Sequence, residues 1–381
     1  MLWWLVELPW IVYKMFRVRR KCIFFLFYFL VGISVFPSCI YDFYRKEFVS
    51  EEKKNDEALL LALLGLLPNP NQKLYGFLPG FSRNLSDSQF LSSEFFPKSG
   101  KKKIVFVHGW NPAERDSDPV TNDQKKIQNI KNTFSNGLVH FQEGRASANS
   151  EFDLYLYTYR TSNSILINGK QFYGTLRSNF LDSDQVYIVA HSMGGLVTRV
   201  ALATETGYLP FVRLVVTLAS PQFGSPFATP SFLGNNPFLN DLGNYLVGTQ
   251  GGSELGYTNK GTGQPNLNGA ENLVLDVINQ SYLNSSLNGR FVSFAGVMSN
   301  CTVGETFYYN TGCTILNNAG FTQSDGIVPR NSARLGNLTY KQIDVADCDH
   351  SMMAFQTINP DDTKSRNLFT QVITEIRNSP Y

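Results

Sequence analysis

The sequence predicts an open, mostly parallel α/β sheet with helices on both faces. Two observations carry that prediction. Short, continuous apolar runs recur at 104–107, 152–159, 186–190, 212–218, 290–295 and 338–345, and runs of this kind suit strands buried on both faces of a parallel sheet. Between them lie helical patterns: Ile127, Ile130 and Phe134; then Met193, Leu196, Val197, Val200 and Ala201; and last Leu368, Phe369, Val372, Ile373 and Ile376. Strands alternating with helices specify this layered architecture. Its active sites sit at the carboxyl ends of the strands. The composition agrees. A chain of 381 residues that is 43% hydrophobic and 14% aromatic has ample core and is not a disordered polymer. Its 30 Gly and 17 Pro exclude a coiled coil.

In chain order, the first segment reads as an export signal. Arg17, Arg19, Arg20 and Lys21 precede an apolar run over 22–36, which closes at Pro37, Ser38 and Cys39. A basic region, an apolar region and a small-residue exit are the three parts of such a signal. Met15 as the start gives it an ordinary basic region. Residues 36–39 resemble a bacterial lipoprotein cleavage box with Cys39 as the lipidated residue. The other reading of 1–39 is an uncleaved anchor helix. Both readings export the bulk of the chain and tether it to a membrane through its N-terminus.

Residues 40–100 read as a tether and an irregular region. They include the apolar stretch 58–67, which is a helix packed on the domain or a lipid-contacting element. The sheet domain is assigned to 101–381, and no internal repeat is evident. Within it, 225–285 is rich in Asn, Gly and Ser and breaks the alternation, so it reads as an insertion over the sheet. The net charge of +2 comes from the basic N-terminus, so nothing points to a nucleic-acid partner.

The chemistry begins at Ser192. Residues 186–195 read VYIVAHSMGG: a strand, a tight turn bearing Ser192, then an amphipathic helix. Ala190-His-Ser-Met-Gly194 is the G-x-S-x-G nucleophile elbow with Ala in the first place. Ala190, Gly194 and Gly195 are small because strand and helix pass close together there. A serine hydroxyl needs a base, and the chain has four His. His191 adjoins the nucleophile and points away from it. His140 falls in a loop-like stretch and reads as a surface residue. His108, in His108-Gly109-Trp110, braces a loop. His350 remains, between the last strand and the last helix. Asp325 is the acid that fixes its tautomer, since it lies between serine and histidine in the chain; Asp347 and Asp349 are fallbacks. The oxyanion requires N–H donors, assigned to Met193 and to Trp110 in the loop after 104–107.

Together these motifs resemble the α/β-hydrolase superfamily in its lipase and esterase-like branch. The resemblance runs over roughly 103–378: His108-Gly109-Trp110, the Ser192 elbow, the stretch 217–225 with Gln222 in the usual place of a histidine, Ser324-Asp325-Gly326, and Asp349-His350. It implies an α/β-hydrolase fold with 225–285 as a cap, and hydrolysis of carboxylic esters, with a lipid or other ester as the partner molecule. It implies no cofactor. Some relatives hold calcium near the histidine loop, but Asp347 and Asp349 alone do not supply the roughly six to eight oxygens calcium takes, so no metal is expected. An acyltransferase, a phospholipase or an inositol deacylase would use the same three side chains, and a non-catalytic surface lipoprotein would need none of them. The cap and tether favour lipid-like or longer acyl esters. Export also permits a disulfide. Cys301, Cys313 and Cys348 allow three pairings, of which Cys301–Cys313 closes the shortest loop.

Overall fold

The computed structural model describes residues 72–114, 122–203, 209–234, 248–260, 265–282, 289–335, 341–358 and 363–381. The segments read as an export signal and a tether, with Cys39 and the apolar stretch 58–67, lie outside the described residues. Among those described, no helix is long and apolar enough to cross a membrane.

The strands are β1 (Lys73–Phe77), β2 (Phe90–Ser92), β3 (Lys102–Val107), β4 (Phe152–Thr158), β5 (Val186–His191), β6 (Val212–Leu218), β7 (Phe291–Val297) and β8 (Lys341–Ala346). The longer helices are α1 (Asp123–Gln142), α2 (Ile165–Asn179), α3 (Met193–Leu202), α4 (Leu273–Tyr282), α5 (Phe307–Asn318) and α6 (Thr363–Arg377). Among the described residues the strands form one eight-stranded sheet in the order β2-β1-β4-β3-β5-β6-β7-β8. From β4 to β8 every pairing is parallel. This is the α/β-hydrolase fold.

Alternation along each strand divides the core between the two faces. Val105 and Val107 of β3 face the cluster built with α2 and α3, where Phe172, Leu196 and Val197 sit. Ile104 and Phe106 face the other cluster, with Phe134 of α1 and Phe369 of α6. Both faces of the central strands β3, β5 and β6 are therefore dry, which is why they read as apolar runs. Asn122 caps α1 by accepting from the Lys125 N–H at 2.8 Å, and Ser164 caps α2 through the Leu166 N–H.

Two expectations need correction. Residues 68–100 are not simply irregular: β1 and β2 lie there, and antiparallel pairing to β4 and to each other extends the sheet by two strands before residue 101. His140 is not on the surface. Helix α1 kinks at Phe134 but continues to Gln142, and His140 is fully buried with its Nε2 at 2.9 Å from Ser365 Oγ. Its burial lowers its pKa to about 4.

The two rims of the sheet differ. β2 is three residues long. β8 is half-exposed along its length, and its Asp344 is gripped by Arg330 and Arg334, each at 2.7 Å.

The described parts of the insertion pack onto the α2–α3 face: Phe227, Phe232, Leu255, Tyr257 and Leu275 join that cluster. The short turn Gln250–Ser253 reaches toward the strand ends. Its Gly251 N–H donates to the Ser162 carbonyl at 3.0 Å, and Glu254 accepts from the Ile165 N–H at the start of α2 at 2.6 Å.

Candidate active site

The chain leaves β3 toward β4 on one side and returns to β5 on the other, so the sheet order reverses beside β3. The carboxyl ends of β3 and β5 thus flank a crevice. One carries His108-Gly109-Trp110 and the other His191-Ser192.

Ser192 has φ 53° and ψ −128°, a strained elbow between strand and helix. Its backbone N–H is pinned to the Leu218 carbonyl at 2.9 Å. The turn is possible only because its neighbours are small. A Cβ on Gly194 would lie 2.6 Å from the His108 carbonyl oxygen and 2.7 Å from that of Val107, and one on Gly195 would lie 2.1 Å from Ser220 Oγ. A Cβ on Gly109 would lie 2.7 Å from Ser192 Cβ. Ala190 is completely buried between β3 and β6. Met193 opens α3, so its N–H is among those with no intrahelical partner, at the positive end of the helix dipole.

His350 stands in the loop after β8. Its Nε2 is 3.0 Å from Ser192 Oγ and its Nδ1 is 2.7 Å from Asp325 Oδ2. Asp325 is only 1% exposed. Its Oδ1 accepts from the Ile327 and Val328 N–H groups at 2.9 and 2.7 Å, which aims Oδ2 at the imidazole. The His350 N–H also donates to the Asp325 carbonyl at 3.0 Å. Serine, histidine and aspartate, 158 and 25 residues apart in the chain, thus form one continuous chain of hydrogen bonds.

The fallback acids do other work. Asp349 is fully buried and accepts from the Ser351 and Met352 N–H groups through Oδ1 and from the Glu305 N–H through Oδ2, shaping the histidine loop. Asp347 accepts from the Ser299 N–H. Gln222 is buried and accepts from Arg199 Nη1 at 3.0 Å, which ties the end of β6 to α3. A disulfide joins Cys301 to Cys313, with Cα atoms 5.3 Å apart. It anchors α5, whose Gly312 packs against the Gly326 carbonyl beside Asp325. Cys348 is buried outside that bridge.

His108 braces its loop. Its ring stacks on Tyr159 at 4.6 Å, and Nδ1 lies 2.8 Å from the Gly109 carbonyl, so Nδ1 carries the proton. Burial lowers its pKa to about 4 and keeps it neutral. Trp110 is half-buried against the α2–α3 core. The next residue, Asn111, donates its N–H to Thr161 Oγ1 at 3.1 Å, while Thr161 donates both its N–H and its hydroxyl to the buried Glu114 carboxylate, at 2.6 and 2.7 Å. Glu114 and Thr161 thereby staple the loop after β3 to the loop after β4. Sequence reasoning missed both, since the partners lie 47 residues apart and neither belongs to a motif.

The fold agrees with known structures. A lipase of Bacillus licheniformis, BlEst2 in its propeptide form, superposes with TM-score 0.52 at 19% identity, over 81% of this chain and 54% of that one. The mature form of BlEst2 gives 0.49 at 19% identity, over 74% and 94%. EstA from Clostridium botulinum gives 0.42 at 11% identity, over 73% and 87%. No curated protein sequence matches the chain. A family model described as "Putative serine esterase (DUF676)" matches residues 97–300, more than half of the chain, from just before β3 through β7 and with the Ser192 elbow inside it. The chain belongs to this DUF676 serine esterase family.

Proposed function

We propose that the protein hydrolyses carboxylic esters, as a lipase or lipid esterase, through Ser192, His350 and Asp325. The observation that carries this reading is the hydrogen-bonded path from Ser192 Oγ through His350 to the buried Asp325 carboxylate. His350 Nε2 takes the Ser192 proton as Oγ bonds to the ester carbonyl carbon. The carbonyl oxygen becomes an oxyanion held by the N–H groups of Met193 and Trp110. His350 then gives its proton to the leaving alcohol, and an acyl-enzyme remains on Ser192. Water, deprotonated by His350, repeats the cycle and releases the acid. Asp325 fixes the Nε2-unprotonated tautomer and balances the imidazolium. The expected lipid-like substrate rests on the insertion, whose Phe227, Leu255 and Tyr257 share a core cluster with Met193, and on the expected N-terminal tether. Export and lipidation at Cys39 belong to the same proposal and rest on the sequence alone.

The test is labelling with a fluorophosphonate, compared between wild type and Ser192→Ala, followed by turnover on esters of increasing acyl length. Labelling lost in Ser192→Ala, with turnover rising on dispersed lipid, supports the reading. Labelling of folded Ser192→Ala rejects it. A product transferred to an added alcohol in preference to water identifies an acyltransferase instead.

A further inference from the structure

His191 immediately precedes Ser192, and the mechanism above gives it no role. Its ring lies 4.8 Å from that of His350, centroid to centroid. Its Nε2 is 2.9 Å from the His350 backbone carbonyl. A carbonyl only accepts, so Nε2 carries the proton. The other nitrogen, Nδ1, is buried with no hydrogen-bond partner and faces Gly109, where an added Cβ would be 3.1 Å away.

The His350 peptide is therefore held at both ends. Its N–H is held by the backbone of the acid residue, Asp325, and its C=O by the side chain of the residue next to the nucleophile. We propose that His191 is a positioning residue for the general base: its Nε2–H clamps the His350 carbonyl and so sets where the His350 ring meets Ser192 Oγ. This rests on the reading of Ser192, His350 and Asp325 given above. The clamp links base to nucleophile because His191 and Ser192 are consecutive on the end of β5, so the two reacting groups shift together.

Protonation would leave that donor in place, but a neutral His191 serves the base better. The titratable groups facing it are His350 from the loop after β8 and His108 from the end of β3. Burial, first, and then those two imidazoles hold its pKa well below the ordinary value for histidine. A second positive ring beside His350 would oppose the imidazolium that forms in each half of the reaction. A buried imidazole supplies a rigid donor without that charge.

The experiment compares His191→Leu, His191→Gln and His191→Asn with wild type and Ser192→Ala. It measures kcat and KM on p-nitrophenyl butyrate, the rate of fluorophosphonate labelling, and the pH profile of kcat/KM. Gln keeps a donor near the place of Nε2, Leu removes it, and Asn is too short to reach the carbonyl. A base displaced by a fraction of an ångström costs roughly 10- to 100-fold in rate. His191→Leu is expected to lose that much kcat with KM nearly unchanged, to label correspondingly slowly, and to move the acidic limb of the profile that reports His350. His191→Gln is expected to recover most of the loss. Wild-type kcat in His191→Leu overturns the proposal, as does a Gln variant no better than Leu with the acidic limb unmoved. If His191→Leu does not fold, the difference between Gln and Asn decides in the same way. Residual labelling of Ser192→Ala would mark failure of the nucleophile assignment instead, independently of His191.

Discussion

Gly109→Ala probes how closely the loop after β3, the proposed oxyanion loop, lies on Ser192. The new Cβ would lie 2.7 Å from Ser192 Cβ, 3.1 Å from His191 Nδ1 and 3.3 Å from Ser192 Oγ. Carbon atoms in ordinary contact stand about 3.5–4.0 Å apart, so loop and elbow must separate by at least about 0.8 Å. Neither side yields easily: His108 is stacked on Tyr159, and the Ser192 N–H is tied to Leu218. Gly109 has no positive φ, so the cost is steric and not a matter of backbone strain. Overpacking of this size destabilises by about 1–3 kcal/mol, a few degrees in Tm. The kinetic effect is larger, because misplacing reacting groups by about 1 Å costs about 100-fold. Gly174→Ala is the control. That glycine lies in α2 with no atom within 4 Å of an added Cβ, and the change should stabilise by about 0.5–1 kcal/mol with full activity. Thermal unfolding and kcat/KM on p-nitrophenyl butyrate read both variants. If Gly109→Ala turns over as fast as Gly174→Ala, the juxtaposition is wrong.

Burial raises the Glu254 carboxyl from its ordinary 4.5 to about 7, against hydrogen bonds from the Ile165 N–H, Ser164 and Gln250. The folded chain then holds a proton that the unfolded chain has released, so stability falls as pH rises from about 4.5 to about 7, by up to about 3 kcal/mol. Glu254→Gln should flatten that slope in denaturant titrations and be the more stable form at pH 8; an unchanged slope rejects the assignment. Replacing Cys301 and Cys313 by Ser should cost about 2–3 kcal/mol, because the bridge closes a short loop across a separation of 12 residues, and reductant should lower the wild-type Tm but not that of the double variant. Thr161→Val leaves the Asn111 N–H and the Glu114 carboxylate without that hydroxyl, and should lose about 1–3 kcal/mol together with part of kcat; Thr161→Ser should restore both.

The sequence exposed most clearly those parts of the fold where burial is two-sided. β3, β5 and β6 are continuous apolar runs because helices cover both their faces. β1 and β2 escaped notice because one is five residues long, the other three, and both lie among Gly, Pro and Ser. Helix α5 reads FYYNTGCTILNN, mostly weak helix formers, and its placement rests on burial of Gly312, Cys313 and Leu316, which no local pattern announces. His140 reads as a loop residue because Ser135, Asn136 and Gly137 follow Phe134 in the sequence, yet Leu138 and Phe141 carry the buried stripe of Ile127, Ile130 and Phe134 onward. At the site, the elbow was legible since strain demands small residues at fixed offsets. That His350 meets Ser192 and Asp325 was legible from chain order and the scarcity of histidine. The supports were not. His191, Thr161 and Glu114 act through carbonyls and N–H groups that the folded backbone brings to them, and backbone groups leave no trace in a list of side chains.

The two rims of the sheet bear on how the protein behaves when crowded. A rim strand presents a row of open N–H and C=O groups, a ready template for a strand from another molecule and so for edge-to-edge aggregation. At one rim, β2 offers too few residues to register a visitor. At the other, β8 carries Lys341 and the Asp344 held by Arg330 and Arg334, and an incoming strand would have to strip water from those charges. Even at high concentration, the molecules can therefore lie side by side without stacking their sheets.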